Sequence, residues 1–350
     1  MNKSFLLPLT ILILLPVACA KSGDDTTGAE AKEYIEKWMD KYHNGVQANE
    51  NGIYILEDVP GTGLPRNEEE PFVLLSGTIR TLEGTVSSTT EEEVARQLGT
   101  FQYGNFYGPQ FHYLNEGYSY AGMDLLLKDM RIGGHRKAVI PAWLLTSSRY
   151  STQEEYIQAC SSSTHLIYDI TLVNQCGWSE GQEYLEPDIA VRELHSYIDA
   201  HYPGTESVSY ETDGTADGTF YFISDISAFK EEDKLSDDSS VKINYTGKLL
   251  DGTVFDTSIR KVAVDARIDS DSKSYEPQSA TITSTYSEVT MGDSSSLING
   301  FKGALSLMQW KGQKAVAVFS SRHGYGSSGS GNAIPAYAPL VFEIEILPDE

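Results

Sequence analysis

Residues 241–256 read VKINYTGKLLDGTVFD and residues 336–347 read AYAPLVFEIEIL, two alternating stretches separated by one short helical stripe. Val241, Ile243 and Tyr245 alternate with Lys242, Asn244 and Thr246, and Phe342, Ile344 and Ile346 alternate with Glu343 and Glu345. That two-residue period is the mark of strands that bury one face. Between them Phe301, Ala304, Leu305 and Met308 fall at i, i+3, i+4 and i+7, the apolar stripe of a helix able to lie across such a face. Strand, helix and strand then share one core.

The same unit occurs a second time, upstream. Residues 122–145 (GMDLLLKDMRIGGHRKAVIPAWLL) align with the segment from Gly300, so that Met123, Leu126, Leu127 and Met130 repeat the helical stripe. Residues 75–88 (LSGTIRTLEGTVSS) align with residues 243–256 through the shared Glu/Asp-Gly-Thr-Val turn at Gly84 and Gly252, and HLIYDITLV from His165 aligns with the closing strand, placing Tyr168 opposite Phe342. Each copy opens with a predicted helix, residues 30–42 and 189–201, and a strand, residues 52–56 and 219–223. A chain of 350 residues accommodates two such domains. The expected division is a signal segment at 1–19, a tether and helix at 20–44, a first domain at 45–173, a linker with a helix at 174–204, and a second domain at 205–350. The acidic, Ser-rich stretches 230–240 and 269–274 read as loops. Both copies carry a long insertion between the Gly-Thr-Val turn and the central helix, of a length that is usually functional or mobile.

Charge and the N-terminus bound the partners. With 50 acidic against 26 basic residues the formal charge is -24, which argues against a nucleic-acid partner, because phosphate binding needs clustered Lys and Arg. Lys3, the apolar run from Phe5 to Val17 and the small residue Ala18 read as a secretory signal, too short and too Pro-broken for a membrane span. Pro-Val-Ala-Cys resembles the lipobox of bacterial lipoproteins, with Pro16 where that motif usually has Leu. The resemblance implies lipidation of Cys19, a membrane anchor, and a place in the bacterial cell envelope, periplasmic or surface-exposed. Cys160 and Cys176 then remain, compatible either with one disulfide in an oxidising compartment or with two free buried thiols.

From Tyr221 to Leu347 the motifs YTGKLLDGTVFD, LINGF, GYG and IPAYAPLVFEIEIL resemble FKBP-type peptidyl-prolyl cis/trans isomerases. The resemblance implies an α+β architecture of two half-barrel domains, each a curled antiparallel sheet packed on one short helix. It implies that proline-containing polypeptides are the clients, with no cofactor and no metal. Carried over by position, Asp256, Tyr325 and Ile298 would act catalytically, and Tyr245, Phe255, Leu297, Phe301, Ile334 and Phe342 would bind substrate. Phe301 stands where the family commonly has Trp, and Ala333 shortens a flap position. The GSSGSG run at 326–331 reads as a flexible flap before Ile334 and Pro335. A buried Asp256 carboxylate needs a partner, and Tyr245 or Arg260 is the expected one. Taken singly, these aromatic residues also fit an ordinary core, Tyr325 a loop aromatic, and Asp256 a turn cap.

The first copy departs at the same positions, with Gly77 for Tyr245, Ser87 for Phe255, Ser88 for Asp256, Met123 for Phe301 and Thr146 for Tyr325. A pocket lined by small hydroxyl residues would be wet, which predicts a structural or client-binding domain. Phe101, Tyr103, Phe106, Tyr107, Phe111 and Tyr113 crowd its insertion and are expected to pack on their own domain. The alternative is a non-catalytic client-binding or surface-glycan-binding lipoprotein that uses those aromatics as a platform. The seven His residues show no tight metal-ligand spacing.

Overall fold

The computed structural model describes residues 27–179, 186–211, 214, 216–292 and 297–348, so Cys19 and the segment expected as signal and lipidation site lie outside the described residues. Strands β1 (Tyr54–Val59), β2 (Phe72–Thr81), β3 (Val86–Thr89), β4 (Gln110–Tyr113), β5 (His135–Ile140) and β6 (Leu166–Cys176) form one antiparallel sheet in the order β1-β5-β6-β2-β3, with β4 also on β2. A second antiparallel sheet holds β7 (Phe220–Ile223), β8 (Ser239–Leu249), β9 (Val254–Thr257), β10 (Gln278–Ile282), β11 (Thr290–Met291), β12 (Lys314–Phe319) and β13 (Leu340–Ile346). Its order is β11-β10-β8-β13-β12-β7, with β9 on β8.

All six strands of the first sheet have a counterpart in the second, which adds β11. Thr78 pairs with Thr89 and Thr246 with Thr257, each pair joined by a hydroxyl hydrogen bond of 2.8 and 2.9 Å, and each hairpin slips by one residue just beyond. Leu75 faces Gln110 as Ile243 faces Gln278. The insertions are duplicated too. Helix α2 (Glu92–Gln97) and helix α6 (Arg260–Asp265) follow the matching hairpins at the same sequence distance. The long insertions therefore carry elements of their own, α2 and β4 in the first domain and α6, β10 and β11 in the second.

The central helices are α3 (Ala121–Leu127) and α7 (Asn299–Ser306), and their stripes are buried as the periodicity predicts. Leu126, Leu127, Ala304 and Leu305 are wholly inaccessible. Truncating either of those leucines of α3 to Ala would cost about 2–5 kcal/mol, the transfer term plus the cavity left behind. The apolar faces of β2, β5 and β6 close the first core and those of β8, β12 and β13 the second.

The helix expected at 30–42 is α1 (Thr27–Tyr42), and it belongs to the first domain: Ala31, Ile35 and Met39 lie in the first core, where the short helix α4 (Gln153–Gln158) also packs. The linker helix α5 (Asp188–His201) places Leu194 and Ile198 against Tyr221, Val318 and Val341 on the outer face of the second sheet. Cys160 and Cys176 are both free and buried, so the disulfide is not formed. Cys160 follows α4 into the first core, while Cys176 ends β6 in a separate cluster with Phe72, Ile189 and Tyr337.

Candidate active site

Strand β8 brings Tyr245 to the edge of the second core, and β9 turns Phe255 and Asp256 back beside it. The close approach is made by Gly247, which lies opposite both Asp256 on β9 and Phe342 on β13. A Cβ at Gly247 would stand 2.5 Å from the Phe255 ring and 3.0 Å from Phe342, so only glycine leaves room for both rings. Phe301, buried on α7, meets Tyr245 and Phe342 edge-on at centroid distances of 5.6 and 5.1 Å, and Phe255 meets Phe342 at 5.7 Å. Leu297 and Ile298 precede α7 and pack on the same core, and Ile334 is buried in it. The structure thus gathers the residues read from the sequence around one aromatic recess. Ile298 is the N-cap of α7, and N–H groups at such an end have no acceptor within the helix.

Asp256 is fully partnered. Its Oδ2 accepts from the Tyr245 hydroxyl at 2.8 Å, its Oδ1 accepts from the Thr257 N–H at 2.9 Å, and Lys273 forms an ion pair with it. Burial, then the negative charge of Asp256 and the hydrogen bond to it, pushes the Tyr245 phenol above its ordinary range, so it stays a donor. Tyr325, 37% exposed, is pushed up for the same two leading reasons, burial and Asp256. Arg260, the other expected partner, points elsewhere and lies 3.7 Å from Asp271. Lys273 was the residue to find, and its signal was slight: it is the one basic side chain in the stretch 269–274.

Behind α7 lies a polar network that the sequence did not announce. The Tyr210 hydroxyl and His323 Nδ1 are 2.7 Å apart, His323 Nε2 is 3.1 Å from Asp217, and Arg322 pairs with the same carboxylate. The Tyr210 ring fills the space beside Gly303 of α7, where a Cβ would collide with it. The network therefore sets the depth of the helix that carries Phe301.

The first domain has Ser87 and Met123 where the recess has Phe255 and Phe301, and its cavities are lined differently. Ser87 and Ser88 border a cavity of about 570 Å³ that Asn332, Ile334 and Pro335 of the second domain also line. A second cavity of about 830 Å³ lies over Met123, Tyr168 and Ile79, rimmed by Tyr120, Trp178 and Tyr337. The small hydroxyl residues expected to line its pocket border the smaller cavity, at Ser87 and Ser88, while the larger is lined mostly by aromatic and apolar side chains. Nor do the insertion aromatics pack solely on their own domain: Phe101 stacks on Tyr107 beneath Arg96, but Phe106 packs against the second core and Tyr103 accepts a hydrogen bond from Arg267.

Residues 231–347 match the sequence profile of the family described as FKBP-type peptidyl-prolyl cis-trans isomerase. An FK506-binding protein of Neisseria meningitidis serogroup C is 35% identical over 107 residues, 31% of this chain and 76% of its own length. The FKBP-type 22 kDa peptidyl-prolyl cis-trans isomerase of Escherichia coli K12 is 33% identical over 107 residues, and a probable FKBP-type isomerase of Haemophilus influenzae is 30% identical over 116. The alignments span 39% and 37% of those two proteins. Among solved structures, a peptidyl-prolyl cis-trans isomerase of Pseudomonas syringae pv. tomato superposes with a TM-score of 0.29 at 24% identity, over 46% of this chain and 92% of its own.

Proposed function

The chain belongs to the FKBP-type peptidyl-prolyl cis-trans isomerase family, and on that premise we propose that its second domain, residues 205–350, isomerises Xaa-Pro bonds in exported polypeptides and so assists their folding. The observation that carries the reading is the recess itself, in which Phe255, Phe301 and Phe342 meet edge to face beside a Tyr245–Asp256 hydrogen bond of 2.8 Å. Rotation about a prolyl bond must cross about 18–20 kcal/mol because resonance holds the amide planar. The twisted state has lost that resonance and part of its charge separation, so an apolar recess disfavours the planar amide more than the twisted one. A million-fold gain corresponds to about 8 kcal/mol, and burial has to be joined by fixed polar groups. Tyr325 at the rim supplies a hydroxyl to a substrate carbonyl, the N–H at Ile298 supplies a second donor, and Asp256, tied to Tyr245 and Lys273, faces the amide carbonyl. This chemistry needs no nucleophile. The N-terminal motif supports the cellular half of the reading, with Cys19 lipidated and the domains held at the outer side of a membrane, facing the periplasm or the surface.

The test is catalysis by the full chain of Xaa-Pro peptide isomerisation and of a proline-limited refolding. The wild type should accelerate both, Phe301→Ala should lower kcat/KM at least tenfold, and Tyr325→Phe should lower it several-fold. A wild-type rate equal to the uncatalysed rate, or a folded Phe301→Ala protein of full activity, would sink the proposal.

A further inference from the structure

The segment from Tyr325 to Tyr337 has one end at the recess and the other in the first domain. Gly326, Gly329 and Gly331 all hold positive φ (59°, 61° and 54°), so the stretch has little stiffness of its own. Within it, Ser330 and Ile334 exchange two backbone hydrogen bonds, Tyr337 N–H donates to the Gly326 carbonyl at 2.9 Å, and Ile334 is buried in the second core. Further restraints come from the first domain. Phe106 N–H donates to the Asn332 carbonyl at 2.8 Å, while its ring packs on the second core and lines the two cavities on either side of Ile334–Ala336. Tyr337 is 8% exposed and meets Phe72 of β2 edge-on at 5.2 Å and Phe111 of β4 at 6.3 Å. Its backbone is left-handed, φ 61°, which is unfavourable for an aromatic residue and persists only where surrounding packing enforces it. The grip extends to the segment after β9: Tyr103 accepts from Arg267 at 2.5 Å, and Gly104 lies against Ile268.

We propose that the first domain is a brace that holds the 326–336 flap in its binding-competent position over the second domain's recess, with Tyr337 and Phe106 as the positioning residues. The proposal rests on the isomerase reading for its consequence but not for its geometry. A flap held closed by a neighbouring domain is a population effect: when the brace is removed, the competent fraction falls and the apparent affinity falls in proportion, with the bound-state rate little changed. The duplicated domain then has a use for the very surface that departs from the prolyl recess, because Ser87 and Ser88 leave space beside which the flap residues Asn332, Ile334 and Pro335 can lie.

The experiment uses the full chain with Tyr337→Asn, Phe106→Ala and Tyr337→Phe. Asn tolerates the left-handed backbone, so Tyr337→Asn removes the ring without adding strain. Two readouts are taken, the KM and kcat for an Xaa-Pro peptide and amide exchange across residues 326–336, with β8 and β13 exchange reporting that the second sheet is intact. KM should rise about tenfold for Tyr337→Asn and Phe106→Ala with kcat within twofold, flap exchange should accelerate at least tenfold, and Tyr337→Phe should restore both. Unchanged flap exchange in both variants overturns the brace. Loosened exchange with an unmoved KM overturns its positioning role. If the wild type shows no isomerase activity, the isomerase reading falls alone, and flap exchange still decides whether the first domain is a brace.

Discussion

Along the same face of two superimposable hairpins, the first domain has Gly77 and Ile79 where the second has Tyr245 and Gly247, so the bulky side chain has moved two residues along the strand. The register, the slip and the threonine hydrogen bond are unchanged by the exchange. Backbone pairing therefore does not depend on the recess residues, whereas the recess depends on where glycine falls. Gly247 leaves room for Phe255, and with Ser87 in place of that ring Ile79 faces the 830 Å³ cavity instead. The largest effect is expected from converting one domain's pair into the other's. Gly247→Ile alone should clash with Phe255 and cost about 1–3 kcal/mol, the usual penalty of overpacking. Adding Phe255→Ser should recover part of that stability, so the two substitutions couple by at least about 0.5 kcal/mol in a double-mutant cycle. The double variant should stay folded by circular dichroism yet lose isomerase activity at least a hundredfold. Strict additivity in denaturant unfolding would show that the glycine and the ring are independent, and the exchange would then be incidental.

The two domains also bury their histidines differently, and acid separates them. His165 of the first domain is 2% exposed, accepts the Ala142 N–H at 3.0 Å on Nδ1, and is held neutral by burial, its pKa lowered to about 4. The unfolded chain takes up that proton near pH 6.5, so between there and pH 4 the unfolded state binds more protons and stability falls as pH falls. The loss is roughly 3 kcal/mol at 1.36 kcal/mol for each pKa unit. In the second domain His323 is paired with Asp217. Burial opposes ionisation of Asp217, but the hydrogen bonds from His323 and Thr219 outweigh it and hold the carboxyl well below its ordinary range. That carboxylate's stabilisation is complete above about pH 4 and is lost only as pH falls further, through its depressed pKa. Stability followed by unfolding at Trp143, whose ring lies 6.0 Å from His165, should fall by about 2–2.5 kcal/mol from pH 7 to 4.5, and His165→Gln should flatten the profile. A wild-type profile already flat over that range would remove His165 as the cause.

What the sequence disclosed follows from which signals repeat. The alternation in β8 and β13 and the stripes on α3 and α7 were readable because a period of two or 3.6 residues survives in a single sequence. Self-comparison then separated Phe255 and Asp256 from Ser87 and Ser88. Helices α2 and α6, six residues each, are too short to show a period, and the stretches around them read as loops. Lys273 was hidden because its partner is 17 residues away in a segment whose acidic, Ser-rich composition reads as solvated surface. Tyr337 and Phe106 were opaque for another reason. Their neighbours come from the other domain, and nothing local in AYAP or GNFYG says that a ring will be buried there.

The smallest effect concerns the charge at the recess. At the same sequence distance that relates Gln110 to Gln278, Asn105 takes the place of Lys273 and Ser88 that of Asp256, so the first domain has lost both members of the ion pair together. Their side chains are 36% and 40% exposed, and solvent screens a pair so placed to within about 1 kcal/mol. Lys273→Asn should therefore change stability by well under 1 kcal/mol, and a cycle with Asp256→Asn should give a coupling that shrinks as ionic strength rises. Its effect should lie in the rate, a few-fold fall in kcat/KM, because the Tyr245 hydroxyl and the Thr257 N–H remain as donors to Asp256 when the cation is gone. A coupling above about 2 kcal/mol that salt leaves unchanged would mean that the pair is dry, as buried pairs are, and that the paired loss of both charges in the first domain was forced by stability.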